Sequence, residues 1–463
     1  MARPSFQSDF TGPCPARESF AAIAQGSGLL FLSWLIAAQP CIPTITVAYQ
    51  STPDAVNHQG ERGVKKFAGS SGKRQRRRVS HAGLSVGIAL LGLAVCPLTA
   101  NATSFSGDNW KVDISGFVNA FYTTVSCNGS AVGGPALASS AVGCGGQQNR
   151  TTIGNGLLPD ALITKFSTQQ EGIDIAAQMG LMVHTATADG LSANNGIDVR
   201  QAFFTLGTPD FGTVKFGRDY GIFGSNAILT DMTLLGVGAP VQATQRGRVA
   251  LGHIGAGYSY LGNYGQIVYT TPGSSGLSFT GGVFSPVNNT GLYDARSAPQ
   301  VQAQLSYTQG GMKAWIGAKT QRFYAMVGTG ALPASFTMTA GELGASYTLG
   351  RFSVLGNVQS GRGVGILTDG DQGDVKGTNY LLQGTLGITE KLKLGLSGGV
   401  SRNQDNLAST AHFKSNSNVT AGAYYALTRS VTLDFELSQT RSKDFAGNTA
   451  HMNGVALGGI LFF

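Results

Sequence analysis

From about residue 160 onward the chain repeats one pattern: about ten residues in which apolar side chains alternate with polar or small ones, a short turn, a second such run, then a longer polar stretch. Period two marks β-strands. Before the turn at Arg429-Ser430, Val419, Ala421, Ala423, Tyr425 and Leu427 alternate with Asn418, Thr420, Gly422 and Tyr424. After it, Val431, Leu433, Phe435 and Leu437 alternate with Thr432, Asp434, Glu436 and Ser438. A second hairpin, turning at Glu390, sets Leu382, Leu386, Leu394 and Leu396 against Gln383, Thr385, Lys393 and Ser397. Each strand therefore has one apolar and one polar face.

Composition narrows what such strands can build. Only 12% of the 463 residues are charged, against about 25% in ordinary soluble proteins, while 42% are hydrophobic and 67 are glycine. Charge-driven disorder is excluded, as are collagen and coiled coils, whose glycine or heptad periods are missing. No stretch after residue 102 runs for the roughly 18 apolar residues of a membrane helix. A soluble sandwich would also alternate, because it buries one face and wets the other. Long strands, short turns alternating with long loops and no helical period to cover a sheet favour a closed transmembrane barrel instead. Closure pairs every backbone amide, as lipid demands.

Strand centres fall near residues 117, 163, 178, 203, 214, 269, 281, 304, 316, 343, 356, 383, 396, 422, 435 and 457. The expected fold is all-β, a 16-stranded antiparallel transmembrane barrel wide enough to enclose an aqueous channel. Its longest connection, near residues 219–263, is the third long loop.

The N-terminus is a different kind of sequence. Lys73 to Arg78 precede the apolar run Gly83 to Val95, and Ala100-Asn101-Ala102 suits a signal peptidase, so residues 73–102 read as a signal peptide for the Sec pathway and 103–463 as the barrel. Residues 1–72 read as a misassigned start, with Val64 as the initiator, or as a long leader. Residues 103–463 carry 22 basic and 20 acidic side chains, a net of +2 instead of the full chain's +8, which removes the basis for a nucleic-acid partner. Cys127 and Cys144 remain in an exported, Gly/Ser/Ala-rich segment, where a disulfide is expected; the alternative is two unpaired thiols.

Other motifs carry less. Gly395-Leu396-Ser397-Gly398-Gly399 satisfies Gly-x-Ser-x-Gly, but inside a strand it forms no nucleophile elbow. His184, His253, His412 and His451 lack the helical spacing of a zinc site, and no metal or cofactor is expected. Asp369, Asp371 and Asp374 superficially suggest a calcium loop but lack its terminal Glu, and read as a solvated loop. Tyr220, Phe223, Phe323 and Tyr324 read as interface aromatics or as a stacking track for sugars.

The segment Arg200-Gln201-Ala202-Phe203-Phe204-Thr205-Leu206, followed by Phe211-Gly212-Thr213-Val214-Lys215-Phe216-Gly217-Arg218-Asp219-Tyr220-Gly221, resembles the strand, turn and strand ending in Gly-Arg of Gram-negative outer-membrane general porins. It leads into Ala227-Ile228-Leu229-Thr230-Asp231-Met232, similar to the start of that family's third loop, and the chain ends in a phenylalanine, Phe463, that resembles the outer-membrane assembly signal. The resemblance implies a homotrimer in the bacterial outer membrane, assembled by the barrel-assembly machinery, in contact with outer-membrane lipid and lipopolysaccharide. It also implies passive passage of small hydrophilic solutes and ions without catalysis, and a third loop folded into the lumen. Carried over by position, Arg218 and Asp231 are the constriction residues, with Arg200, Arg246 and Arg248 as further lumen candidates. Two departures stand out. No Asp or Glu lies between Asp231 and Asp294, which implies a less cation-favouring passage. Parity also sets Arg218 on the face of Val214 and Phe216, so it reaches the lumen only if a bulge or strand end intervenes. A substrate-selective sugar or anion porin, an adhesin and a membrane-embedded hydrolase are the rival readings.

Overall fold

The computed structural model describes residues 102–185, 197–241, 250–273, 275–288, 293–326, 335–405 and 413–463. The expected leader over 1–72 and 73–102 lies outside these residues apart from Ala102, and so do Arg246 and Arg248. Among the described residues, nineteen strand segments join in a single sheet. In chain order they are β1 (Thr103–Ser106), β2 (Trp110–Gly129), β3 (Asn149–Gly154), β4 (Asp160–Gln170), β5 (Ile173–Val183), β6 (Ile197–Thr208) and β7 (Gly212–Tyr220). Then come β8 (Asn263–Thr270), β9 (Leu277–Phe284), β10 (Tyr293–Asp294), β11 (Gln300–Gln309), β12 (Met312–Ala325) and β13 (Ser335–Leu349). The last six are β14 (Phe352–Arg362), β15 (Lys376–Gly387), β16 (Leu392–Asn403), β17 (Phe413–Ala426), β18 (Val431–Asp444) and β19 (Thr449–Phe462).

Three of these segments prolong others. β3 and β4 pair with successive parts of β2, β10 continues the ladder of β11 along β12, and β1 pairs with β2 below the point where β19 stops. The result is a closed antiparallel barrel of sixteen strands, and every expected strand centre falls inside one. β2 and β19 close the ring from Phe117↔Phe462 to Gly129↔Ala450. Phe463 finishes the seam: its N–H donates to the Gly116 carbonyl at 3.0 Å and its carbonyl accepts from the Gly116 N–H at 2.9 Å.

Burial is inverted relative to a soluble protein. On β18, Leu433, Phe435 and Leu437 are exposed, while the intervening Asp434 and Glu436 are each 2% exposed. On β17, Val419 is exposed and Asn416, Asn418 and Thr420 are buried. An apolar outer wall needs no partner in lipid, whereas polar side chains must find hydrogen bonds within the barrel. Adjacent strands meet through two-residue turns such as Gly310-Gly311 and Gly350-Arg351, where the first residue has φ +57° and +58°, a left-handed conformation that suits glycine.

Among the described residues, helix is confined to the connections: α1 (Ser140–Gly143), α2 (Ser225–Thr230) and a 3₁₀ turn, Met232–Leu235. All are too short to show a helical period in sequence. Cys127 on β2 and Cys144 just after α1 form a disulfide, with Cα atoms 6.2 Å apart, that ties the intervening segment to the wall.

Candidate functional site

The connection between β7 and β8 is bound to the polar face of the wall over a wide arc. Gln302 Oε1 on β11 accepts from the Ile222 and Phe223 amides at 2.8 and 2.9 Å, and Glu342 Oε2 on β13 from the Gly224 amide at 2.9 Å. Gln383 on β15 accepts from the Met232 amide at 2.8 Å and donates to the Thr230 carbonyl at 2.6 Å. Glu436 Oε2 on β18 accepts from the Val237 and Gly238 amides at 3.0 and 2.7 Å. Gln359 on β14 and Ser401 on β16 accept from the Ser259 and Gly257 amides at 2.9 and 3.0 Å. An irregular segment cannot satisfy its own backbone, and here the wall side chains do so.

Space for the segment is made by wall glycines. A β-carbon at Gly399 would stand 2.0 Å from the Ala256 carbonyl oxygen, and one at Gly454 would stand 2.4 Å from the Pro240 ring. Two further connections join it. Asn416 on β17 accepts from the Leu137 amide at 3.1 Å and donates to the carbonyls of Pro135 and Gly255 at 2.9 and 3.0 Å. The Tyr260 amide donates to the Leu367 carbonyl at 3.1 Å. Leu137, Leu157, Leu234, Leu251, Ile254 and Ile366 meet in a shared apolar core.

Asp231 organises this segment internally. Its carboxylate accepts from the Thr233 amide at 2.9 Å, the Thr233 hydroxyl at 2.8 Å and the Tyr258 hydroxyl at 2.7 Å, and its Oδ2 lies 3.1 Å from His253 Nδ1. Burial alone would raise its pKa, but His253 and the three donors outweigh it and hold the carboxyl below its ordinary value. The same surroundings push the Tyr258 phenol well up, through burial first and the Asp231 charge second. His253 Nε2 is 3.3 Å from Ser397 Oγ, so Asp231, His253 and Ser397 form a line from segment to wall. The order matches a hydrolase triad, and Ser397 is the serine of the Gly-x-Ser-x-Gly match. However, His253 is 0% and Ser397 2% exposed, and Ser397 lies in the extended strand β16. Lacking both the strained strand-to-helix turn and an open approach, this serine fastens the segment to the wall.

A family model for Gram-negative porins matches residues 89–444. The chain belongs to the Gram-negative porin family. The porin's fold is similar to the outer-membrane channel DcaP of Acinetobacter baumannii, at 14% identity and TM-score 0.59, covering 78% of this chain and 100% of that one. It is also similar to Salmonella typhi OmpF, solved with daunomycin, at 15% identity and TM-score 0.50, covering 77% and 100%. No curated protein matches the sequence. The protein is an outer-membrane barrel and a channel for passive diffusion.

The expected constriction residues separate in the porin's structure. Arg218 is corrected: it does not join the polar face. The ladder between β7 and β8 runs unbroken from Thr213 to Tyr220, so no bulge turns it inward, and parity keeps it with Phe216, which stacks on the exposed Phe204 at 5.1 Å. Arg218 is exposed and its Nε donates to the Val199 carbonyl at 2.9 Å. The bulge lies at Arg200 instead. Gly180 pairs with Gln201 and Leu181 with Val199, leaving Arg200 as an extra residue that reverses the facing of β6. Arg200 is 3% exposed, with Nε 2.8 Å from Asp198 and the phenols of Tyr220 and Tyr260 alongside.

Asp231 does lie on the third loop, but it is consumed within it. The solvated-loop expectation is also corrected. Asp369 is 1% exposed, ion-paired to Lys319 and accepting from Gln300 Nε2 at 3.0 Å; Asp371 caps the amides of Ile366, Leu367 and Thr368. Only Asp374 is on the exterior side, paired with Arg362 at 2.7 Å. Of the aromatics, Phe223 lies beneath the Lys319 ammonium, 4.4 Å from ring centroid to Nζ, and Phe323 packs between Tyr293 and Phe336, so neither is an interface residue. Lys319, Glu342 and Glu436 were missed, although each occupies a polar position in its strand's alternation.

Proposed function

We propose that residues 221–241 and 250–262 of the third loop fold into the lumen and narrow it, so that small hydrophilic solutes and ions pass while larger ones are excluded. The observation that carries this is the set of wall groups, Gln302, Glu342, Gln383, Ser401 and Glu436, that hold the segment's amides from β11 round to β18. A segment satisfied by so many strands keeps one shape, and a fixed gap sets a size limit.

Three cations along the polar face are each held by a carboxylate: Arg200 by Asp198 at 2.8 Å, Lys215 by Asp219 at 2.5 Å, and Lys319 by Asp369. Carboxylates from the wall and from the 363–375 connection thus offset the acid-poor third loop, and we propose weak ion preference. Solutes meet paired charges whose local field orients dipoles, with less screening than in bulk water. The protein works as a homotrimer without catalysing a reaction, is exported through the Sec pathway, is assembled by the barrel-assembly machinery and contacts lipopolysaccharide.

Bilayer recording of the folded protein across a tenfold salt gradient tests this reading. Stepwise conductance with a reversal potential near zero supports it, and replacing 225–241 by a short Gly/Ser linker raises the single-channel conductance. A folded barrel that carries no current, or a linker variant with unchanged conductance, overturns it.

A further inference from the structure

Three wall residues in one row hold two different connections. Ser401 on β16, Asn416 on β17 and Ser442 on β18 are successive partners in register, and each is 0% exposed. Ser401 accepts from the Gly257 amide of the third loop. Ser442 Oγ accepts at 2.9 Å from the Ala138 amide, in the first connection between β2 and β3, and donates to Asn416 Oδ1 at 2.7 Å. Asn416 stands between them and bonds both connections, through Pro135 and Leu137 of the first and Gly255 of the third.

A carboxamide offers two N–H donors and two acceptor sites on its oxygen, and Asn416 uses all four. Its inward facing depends on an irregularity in β17. Phe413 pairs with Asp444 and Ser415 with Lys443, which leaves Lys414 as an extra residue. Phe413 and Asn416 are therefore both buried although they lie three positions apart.

The two connections also touch directly. Gly255 has φ +77°, and a β-carbon there would stand 3.6 Å from Leu137 Cδ1. Ala136, Leu137 and Ala138 are each 0% exposed, so the first connection lies on the inner wall instead of over the rim. The Cys127–Cys144 disulfide fastens it to β2, while Ser442 and Asn416 hold it two and three strands further round the ring. A segment fastened at both ends and packed against the third loop cannot shift without carrying that loop with it.

We propose that Asn416 is a positioning residue that keys the first connection to the third loop, so that the two move as one body and together set the size limit for solutes. The size limit rests on the reading that the third loop narrows the lumen; the keying does not require conduction.

Hydrogen exchange of the detergent-purified protein, read by mass spectrometry, and entry of polyethylene glycols of graded size into the single channel test it. Ser401→Ala removes the acceptor of a third-loop amide, yet exchange should rise in the peptide covering Leu137 and Ala138 as well as at Gly257. Asn416→Asp keeps an acceptor for Leu137 and Ser442 but turns a carboxylate towards the Pro135 and Gly255 carbonyls. Exchange then rises at least about tenfold in both connections, and larger polyethylene glycols enter. In S401A/N416D the Leu137 peptide exchanges no faster than in N416D alone, because the path between the two sites is already cut. A rise confined to the third loop in S401A, or additive effects in the double variant, overturns the keying. An unchanged polymer limit in N416D overturns its part in sieving. Heat-modifiable gel migration establishes that each variant is folded. A wild type that carries no current while exchange stays coupled sinks the channel reading alone.

Discussion

Gly399 of the wall and Ala256 of the third-loop segment touch so closely that the wall residue cannot carry a side chain: a β-carbon there would sit 2.0 Å from the Ala256 carbonyl oxygen and 2.9 Å from Gly257 Cα. The obstacle is backbone, which cannot rotate aside. Gly399→Leu should therefore lift the segment from β16 at a cost of ~1–3 kcal/mol. The expected reading is a larger or noisier single-channel conductance from a barrel that still shows heat-modifiable migration; quiet, wild-type currents would count against the fixed constriction.

The line Asp231, His253, Ser397 predicts a latch. Asp231→Ala strands the Thr233, Tyr258 and His253 donors in a buried site, costing ~3 kcal/mol of local stability, while Ser397→Ala removes the 3.3 Å contact to His253 and a 3.5 Å one to the Thr420 carbonyl and costs less. Protease nicking in the connection between β7 and β8 should rise for Asp231→Ala well before it does for Ser397→Ala. A fluorophosphonate probe should leave Ser397 unlabelled in the folded barrel, and labelling at that serine would revive the hydrolase reading.

Acid should loosen the same latch. The Asp231 carboxyl is held below its ordinary value of 3.8, so its contribution is complete above that value and is lost as pH falls through the lower folded one. Current noise should thus stay flat from neutrality to about pH 4 and increase below it. Asp231→Asn should show the increased noise at every pH. A wild-type transition at pH 6–7 would contradict this assignment.

Arg200 and Arg218 should respond oppositely to removal. Arg200→Ala leaves Asp198 without its 2.8 Å partner and should shift the reversal potential towards cations. Arg218→Ala, on the outer wall, should leave selectivity unchanged. The reverse result would place the bulge wrongly.

Reduction of Cys127–Cys144 opens a link that spans 17 residues. Chain-entropy arguments value such a link at about 3 kcal/mol. Thermal unfolding in detergent should move to lower temperature with reductant, and Cys127→Ser/Cys144→Ser should match the reduced protein without responding to reductant.

The barrel was legible because one repeating rule governs it: Leu433, Phe435 and Leu437 against Asp434 and Glu436 states which face meets lipid before any contact is known. The interior was less so. Parity applied to Gly217-Arg218 foresaw that an arginine needs a bulge to turn inward, but a bulge arises from the register between two strands, and nothing local to Arg200 announces it. Asp369 and Asp371 looked solvated in a run of glycine and aspartate; Asp369 is buried and Asp371 half-buried because Lys319 and three consecutive amides wait for them from distant or irregular backbone. Glu342 and Glu436 stood at readable polar positions, yet what they bind lies 118 and 198 residues away in the chain.

The single unpaired residue in β6 means that the wall's charge depends on chain length as well as on composition. Loss of one residue at this point would restore the even ladder and turn Arg200's neighbours over together, presenting Asp198 to lipid without any change of residue type. Insertions and deletions of one codon, usually regarded as wholly disruptive in a strand, are here a route by which related channels can exchange an inward charge for an outward one.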